Sequence, residues 1–178
     1  MLGRECGQKK ETNMAKQQLL ELIRQGTHAW NTWRQQHPSE EPDLHEEDLS
    51  QSNLRGANLS RVNLSGATMS GANLSQADLS WSNLVGADLR KADVSEANLT
   101  SADLSGADAM EAKFTRANFT NAVLIDTNFI NADLSEANFA GADLTGAYLK
   151  EANLRGAFIT QTQLDKARAP EELPPPRQ

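Results

Sequence analysis

The chain has 178 residues, enough for one domain with tails, and 38% of them are hydrophobic. Its formal net charge of −7 argues against direct binding to nucleic acid, because phosphates select basic surfaces. No run reaches the ~18 apolar residues that a membrane span needs. Residues 1–10 lack an apolar stretch of the signal-peptide type, and the single cysteine, Cys6, cannot form an internal disulfide. We therefore expect a cytoplasmic protein that contacts neither membrane nor nucleic acid.

The N-terminal region divides into a polar tail and an amphipathic segment. Residues 1–13 are predicted to be disordered. Residues 14–37 predict one amphipathic helix, which ends before Pro38, and its apolar side includes Leu19, Ile23, Trp30 and Trp33. We interpret this helix as a cap on the domain that follows. The alternative is that Trp30 and Trp33 dock a partner protein.

Residues 38–48 are rich in carboxylates, which could suggest a cation site. The acidic side chains are Glu40, Glu41, Asp43, Glu46, Glu47 and Asp48. Their spacing is not that of an EF-hand loop. We interpret the segment as an acidic linker and the entrance to the next domain.

A five-residue repeat occupies residues 43–167. Its centres run from Leu44 to Leu164 in 25 consecutive pentads, of which 17 carry Leu and four carry Phe. Two positions before the centre, 18 of the 25 residues are Ala, and the position between them is Asn or Asp in 19. A fixed period of this kind decides the architecture before any local propensity does.

Period five fits neither a straight helix nor a straight strand. On a helix successive centres would lie about 140° apart, and on a strand they would alternate between faces. Within one pentad, however, Ala and the centre lie two residues apart and point the same way. If the chain bends identically in every pentad, both columns face one axis and the chain forms a β-solenoid. This register predicts a core that includes Leu54, Leu74, Leu84, Leu104, Phe119 and Phe139.

These pentads resemble the pentapeptide repeat family. The segment Ala29-Trp30-Asn31-Thr32-Trp33-Arg34, followed by Pro38, also resembles a cap sequence of bacterial, often cyanobacterial, members. The resemblance implies an all-β fold, a right-handed quadrilateral β-helix with four pentads per coil and an N-terminal α-helical cap. The pentads then make about six coils, and neighbours in one wall lie 20 residues apart.

The C-terminal end of the solenoid has no visible cap in the sequence. Residues 168–178 form a Pro-rich tail, in which three consecutive prolines favour an extended polyproline segment. We expect the last coil, with centres from Leu149 to Leu164, to be covered by the tail, by a partner or by a second copy. Two copies meeting end to end would give a homodimer through the C-terminal coil.

No constellation of residues predicts catalysis. The three histidines lie in the cap region and at the solenoid entrance, and no second cysteine completes a zinc site. Ser and Asp occur as repeat positions without a paired histidine base. We therefore predict no enzyme activity, no cofactor and no metal.

Because neighbours in one wall lie 20 residues apart, the sequence shows which outward-facing residues share a wall, and the walls differ in charge. The wall of Leu44, Leu64 and Leu84 is acidic. The wall of Leu59, Leu79 and Leu99 is almost uncharged, and it is assigned Trp81 and, near its end, Phe158. Met110 and Ile130 lie one coil apart and could form a second apolar patch. These four residues are the predicted partner surface. The alternative is that a single exposed Trp has no role.

Two functions follow from these observations. The first is a non-enzymatic binding or scaffold module that presents rigid walls to an unidentified protein partner. The second follows from the resemblance, since some family members mimic DNA and protect gyrase with an acidic, dimeric rod. Lys and Arg residues along this solenoid interrupt the negative field and disfavour that alternative.

Overall fold

The β-helix is built from single-residue parallel bridges between neighbouring coils. The structure is a computed structural model that describes residues 16–168. Every fifth residue from Asp43 to Asn138 bridges the residue 20 positions further on, and the last bridge ends at Phe158. Steps of five from 43 to 158 give 24 positions, which make six coils of four pentads. The fold is the predicted right-handed quadrilateral β-helix. The predicted tails, residues 1–13 and most of 168–178, lie outside the described residues.

Each pentad turns the chain through one corner. In the turn that starts at Leu54, the N–H of Ala57 donates to the carbonyl of Leu54 over 3.0 Å. Gly56, the third residue of this turn, has φ +63°, and the equivalent residues from Glu46 to Gly156 have φ between +53° and +71°. Left-handed φ at the third residue is the property of type II turns that favours Gly. Eight corners carry Gly and fifteen carry other residues.

We name each of the four walls after one of its centres. The Leu84 wall contains Leu44, Leu64, Leu84, Leu104, Leu124 and Leu144. The Leu89 wall contains Leu49, Met69, Leu89, Ala109, Phe129 and Leu149. The Leu74 wall contains Leu54, Leu74, Val94, Phe114, Leu134 and Leu154. The Leu79 wall contains Leu59, Leu79, Leu99, Phe119, Phe139 and Ile159.

The centres and the Ala column fill the interior. The six core residues named from the sequence are at most 1% exposed: Leu54, Leu74, Leu84, Leu104, Phe119 and Phe139. The rings of Phe114, Phe119 and Phe129 lie 5.3–6.0 Å apart. Ala109 is the smallest centre and is fully buried beside this group. We attribute its size to volume compensation, because an interior at crystal-like density cannot also hold a fourth large side chain there.

The N-terminal cap is two helices, and the prediction of one helix over 14–37 is wrong in this respect. Helix α1 spans Lys16–Arg24 and helix α2 spans Thr27–Gln36. Gly26 separates them with φ +102°, a conformation that a side chain disfavours. The four predicted cap residues point into the interface and are at most 8% exposed: Leu19, Ile23, Trp30 and Trp33.

Side chains of α2 bind the backbone edge of the first coil. The indole N–H of Trp30 donates to the Asn58 carbonyl over 2.7 Å. The Asn31 side-chain oxygen accepts a hydrogen bond from the Asn58 N–H over 2.8 Å, and the Asn31 amide N–H₂ donates one to the Gly56 carbonyl over 2.9 Å. Arg34 donates to the carbonyls of Glu40 and Ser60, each over 2.8 Å. These bonds satisfy groups that would otherwise form an open sheet edge.

The C-terminal end carries a short helix that the sequence analysis did not predict. Helix α3 spans Gln161–Lys166 and replaces the twenty-fifth pentad, so Leu164 is a helical residue and not a solenoid centre. Thr160 and Gln163 form a capping box at its start. The Gln163 amide also donates to the carbonyls of Phe139 and Ala142, over 2.6 and 2.9 Å.

After α3 the chain pairs once more with the last coil. The N–H of Gly146 donates to the Lys166 carbonyl, and the N–H of Arg168 donates to the Ala147 carbonyl, both over 2.9 Å. The Arg168 guanidinium lies 4.9 Å from the centroid of the Tyr148 ring and 3.0 Å from Asp126. This closure covers one side of the end. The centres Leu149, Leu154 and Ile159 remain only partly buried.

Candidate interaction site at the Trp81 corner

Trp81 combines high exposure with an unfavourable backbone conformation. Its side chain is 64% exposed, whereas Trp30 is completely buried in the cap. Its φ is +61°, in the left-handed region that a bulky residue rarely adopts. Because glycine fills the equivalent place at eight other corners, the fold alone does not require an indole here. Trp81 is therefore an exposed aromatic side chain at a corner whose backbone conformation favours glycine.

A groove of about 610 Å³ lies beside the indole. Its lining residues are Glu41, Asp43, Arg61, Val62, Asn63, Trp81 and Asn83. Arg61 and Trp81 occupy one corner on consecutive coils, and Glu41, which precedes the first coil, lines the same groove. Asp43, Asn63 and Asn83 are linked by consecutive bridges and occupy the adjoining Leu84 wall. The groove therefore offers an aromatic face together with carboxylate, guanidinium and amide groups.

The assignment of Trp81 to the Leu79 wall needs correction. Trp81 lies at the corner between the Leu79 and Leu84 walls, and the bridge residues of its groove come from the Leu84 wall. A corner residue belongs to two walls, so reading one wall at a time could not place it. Val85, which is 39% exposed, lies on the same coil of the Leu84 wall. The wall interpreted as acidic is thus also the one beside the main exposed apolar residues.

Hydrogen bonds fix the polar end of the groove. Asp43 Oδ1 accepts from the His45 backbone N–H over 3.2 Å, lies 2.8 Å from His45 Nδ1, and accepts from the Asn63 amide over 2.9 Å. Burial alone would raise the pKa of Asp43, but the hydrogen bonds and charge of His45, with the charge of Lys16, bring the pKa below its usual value. Asp43 therefore stays ionised at neutral pH. The sequence analysis had placed Asp43 in the acidic linker and at the start of the acidic wall.

Asn83 differs from its neighbour Asn63 in the use of its amide. The Asn83 side-chain oxygen accepts from the Val85 N–H over 3.1 Å. Whereas the Asn63 amide N–H₂ donates to Asp43, that of Asn83 has no hydrogen-bond acceptor among residues 16–168. Asn83 is exposed. Its amide can therefore donate to a partner that lies in the groove.

The other predicted contact residues do not join this site. Phe158 is 66% exposed, but it lies on the last coil. Ile130 is only 7% exposed, so the predicted Met110–Ile130 apolar patch is wrong in its second member. Coil register places Ile130 between Met110 and Lys150, whose long side chains flank it about 4.8 Å away on either side. Half-buried Met110 lines a separate depression of about 250 Å³ with Arg90, Lys91 and Glu111.

The described part of the chain was compared with the requirements of a metal site and of a membrane-spanning helix. Residues 16–168 contain no group of three or more His, Cys, Asp or Glu side chains placed to hold a metal ion. None of the helices in that range is long and apolar enough to cross a bilayer.

The fold is a repeat solenoid that carries an exposed aromatic side chain at one corner. The chain belongs to the pentapeptide repeat family. The model of that family, described as Pentapeptide repeats, matches eight copies within residues 43–80, 77–116, 112–150 and 132–168. A search of curated proteins gave no match.

Solved structures of the same family are similar to this chain. HetL, a protein of the cyanobacterium Nostoc sp. strain PCC 7120 involved in heterocyst differentiation regulation, is 35% identical with a TM-score of 0.50. The match covers 74% of this chain and 65% of HetL, so this chain spans less than two thirds of that relative. Rfr23 of Cyanothece 51142 is 25% identical over 74% of this chain and 94% of its own, with a TM-score of 0.46.

A plant structure also matches. It is a pentapeptide repeat protein of the Arabidopsis thaliana thylakoid lumen, 30% identical over 67% of this chain and 73% of that one, with a TM-score of 0.39. Two of these neighbours are cyanobacterial, as the cap resemblance implied.

Proposed function

We propose that this protein is a non-enzymatic binding or scaffold module that contacts another protein through the Trp81 corner. The observation that carries the proposal is the two-thirds exposed indole at a left-handed corner position. Exposed Trp is energetically unfavourable in isolation, whereas Trp is among the residues that contribute most to interfaces when it becomes buried. A partner that covers the indole would gain that contribution.

The solenoid suits this role because its walls are preorganised. The N–H of Leu84 donates to the Asp103 carbonyl over 2.7 Å, and the N–H of Asn83 donates to the Val62 carbonyl over 3.1 Å. Trp81 itself donates its N–H to the Thr100 carbonyl over 3.0 Å. The backbone of the corner is therefore tied to the coils on both sides. A rigid surface binds with little loss of conformational entropy.

Affinity capture from native extract with two corner variants tests the proposal. Trp81→Gly removes the indole at a position whose backbone favours glycine. Ser101→Gly makes the same backbone change one coil further along the same corner, where φ is +57°. We expect a protein that wild type and Ser101→Gly capture and Trp81→Gly does not. Equal capture by all three proteins would remove Trp81 from the interface.

Self-association through the C-terminal coil remains a prediction. Phe158 replaces the usual Asn or Asp and is 66% exposed, and it adjoins the partly buried centres Leu154 and Ile159. A second copy could cover these three side chains. Sedimentation equilibrium should then show a dimer that Phe158→Asp converts to monomer. A monomeric wild type over the accessible concentrations would exclude this arrangement.

The alternative of a DNA-mimicking gyrase modulator also remains a prediction. It needs a continuous negative surface, but on the Leu84 wall the outward positions include Asn63, Asn83 and Val123 between the acidic residues. Asp126 at the edge of this wall is paired with Arg168. A supercoiling assay decides: inhibition or protection of gyrase would support the alternative, and no effect at high molar excess would remove it.

A cytoplasmic location belongs to the same proposal. It rests on the composition and the single cysteine, which is typical of proteins from reducing compartments. Because one structural neighbour comes from the thylakoid lumen, fractionation of native cells is the appropriate test.

A further inference from the structure

The charges along the Trp81 groove have a regular axial order. Consecutive coils of a β-helix are separated by the spacing of sheet strands, about 4.8 Å. Glu41 lines the groove on the N-terminal side of Arg61 and Trp81, and Asp43 lies two coils from Asn83 along the bridges Asp43–Asn63–Asn83. In the opposite direction, Asp103 bridges Asn83 one coil away, just beyond the residues that line the groove. Acidic groups therefore lie on both sides of the indole along the solenoid axis.

The separation of these acidic groups matches the repeat of an extended peptide. Asp43 and Asp103 are three coils apart, which corresponds to about 14 Å. In an extended chain, residues n and n+4 are about 13 Å apart and point to the same side, and residue n+2 lies midway on that side. Asn83, on the same coil as Trp81, is two coils or about 10 Å from Asp43 and one coil or about 5 Å from Asp103, so the indole is displaced by about 2 Å from the midpoint. Because Lys and Arg side chains are long, a peptide running along the axis could still place two of them near the acids and an apolar side chain near the indole.

We infer that the groove recognises an extended protein segment of the form basic–x–apolar–x–basic, with Lys or Arg at both ends. This inference rests on the proposed function of the Trp81 corner. One basic side chain pairs with Glu41 and Asp43, the central apolar side chain packs on Trp81, and the second basic side chain pairs with Asp103. The amide of Asn83 donates to a backbone carbonyl of the segment.

Arg61 is the one cation that lines the groove, and its place is compatible with this arrangement. It lies one coil from Trp81 at the same corner, between the predicted positions of the basic and the apolar side chains. No carboxylate lies within 4.0 Å of its guanidinium among residues 16–168. Guanidinium N–H groups donate to carbonyl oxygens, and the backbone of the segment supplies those oxygens between its two basic residues.

The occupant is a different protein rather than a second copy of this chain. The printed sequence has 17 Lys and Arg residues, and no two of them are four positions apart. A second copy therefore cannot supply the spacing. The net charge of −7 favours a basic partner over an acidic one through long-range steering.

Synthetic pentapeptides test the inference on the whole protein. The probe is acetyl-Lys-Ser-Leu-Ser-Lys-amide, with the two lysines replaced by glutamate as the charge control. The peptide acetyl-Lys-Lys-Ser-Leu-Ser-amide, of identical composition, is the spacing control. Binding is followed by NMR of the ¹⁵N-labelled protein through the indole N–H signal that is lost in Trp81→Gly, together with the Asn83 amide signal.

We expect a saturable shift of both signals with the probe, and at least tenfold weaker binding of either control peptide. Glu41→Gln combined with Asp103→Asn should weaken the probe about tenfold or more, whereas Glu136→Gln on another corner should not. Equal binding of the three peptides, no shift with the probe, or an unchanged affinity in the double variant would overturn the inference. Trp81-dependent capture of a partner combined with any of these results would retain the proposed function and remove only the basic segment.

Discussion

The indole N–H of Trp30 donates to the backbone carbonyl of Asn58 over 2.7 Å, whereas the indole N–H of Trp33, one turn further along α2, is buried with no hydrogen-bond acceptor among residues 16–168. The two rings lie 5.5 Å apart and both are at most 8% exposed. They share one environment and differ in one hydrogen bond. The pair therefore separates the contribution of hydrogen bonding from that of packing.

The substitutions Trp30→Phe and Trp33→Phe test how much the one hydrogen bond stabilises the cap. Trp30→Phe leaves the Asn58 carbonyl without its donor, and it should lower the free energy of unfolding by about 1–3 kcal/mol more than Trp33→Phe does. Trp33→Phe removes a donor that has no acceptor, which offsets part of its packing loss. Urea unfolding measures both. Equal losses would mean that the Trp30 hydrogen bond contributes nothing to attachment of the cap.

Trp81→Gly should leave stability within about 1 kcal/mol of wild type. The indole buries only a third of its surface, so its removal forfeits roughly 2 kcal/mol of apolar burial. Relief of the left-handed conformation returns about 1–2 kcal/mol. Urea unfolding beside Ser101→Gly checks this balance. A loss of several kcal/mol would show that Trp81 supports the fold, and capture results with the variant would then say nothing about binding.

Leu104→Asp should abolish cooperative unfolding. Leu104 is fully buried in the middle of the Leu84 wall, and an unpaired carboxylate there interrupts the stacking of coils on both sides. Leu104→Met keeps the volume nearly constant and should cost less than about 1.5 kcal/mol. Thermal melting followed by circular dichroism distinguishes the two variants. A normal melting curve for Leu104→Asp would contradict the register of the repeat.

Gln163 should hold the C-terminal end closed. Its amide donates to two carbonyls of the preceding coil, whereas Gln161 bonds only to Asp165 on the exposed side of α3. Gln163→Ala should therefore increase hydrogen exchange in residues 144–166 by an amount that Gln161→Ala does not. The effect should be local because contacts in a solenoid connect neighbouring coils. Identical exchange in the two variants would exclude this role.

Acid should destabilise the protein through the repeat aspartates. Hydrogen bonds from Ser135 first, and also from Thr115 and Asn153, hold the pKa of Asp133 below its usual value in spite of desolvation. A carboxylate with a lowered folded-state pKa stabilises the fold above its unfolded pKa of about 3.9, and this stability is lost as the pH falls through the folded-state pKa.

Asp133→Asn removes this titration but keeps an acceptor for the Ser135 N–H, as Asn does at other pentads. The melting temperature of the variant should fall less than that of wild type between about pH 5 and pH 2. Scanning calorimetry across this range makes the comparison. Parallel decreases in both proteins would assign the acid sensitivity to other groups.

Most of the fold could be predicted from the period of the repeat. The same regularity led to the two errors in the prediction, at α3 and at the break between α1 and α2. Leu164 falls on the expected centre, so the pattern continued into α3 even though Thr160 and Gln163 carry a capping-box signature. Gly26 inside the apolar pattern of the cap was a visible signal of the break between α1 and α2. In both places the periodic pattern was followed, and the local signal for a helix boundary was given too little weight.

The groove could be predicted less well because it combines residues from different parts of the sequence. Glu41 precedes the first bridge and was interpreted as part of a solvated linker, whereas in the fold it lines the same groove as Trp81, 40 residues away. Reading corners as well as walls at 20-residue steps would have aligned Glu41, Arg61 and Trp81. The burial of Ile130 depends on the lengths of Met110 and Lys150 on adjacent coils, which a reading of single residues does not weigh.

Photocrosslinking at residue 81 tests the central claim most directly. A benzophenone amino acid replaces Trp81 in one protein and Asn131, a corner residue with φ +57° between two other walls, in the control. After irradiation in native cells, the account predicts a discrete crosslinked protein from position 81 that position 131 does not give. The absence of an adduct at 81, or the same adducts at both positions, would contradict the claim that the Trp81 corner is a specific protein contact.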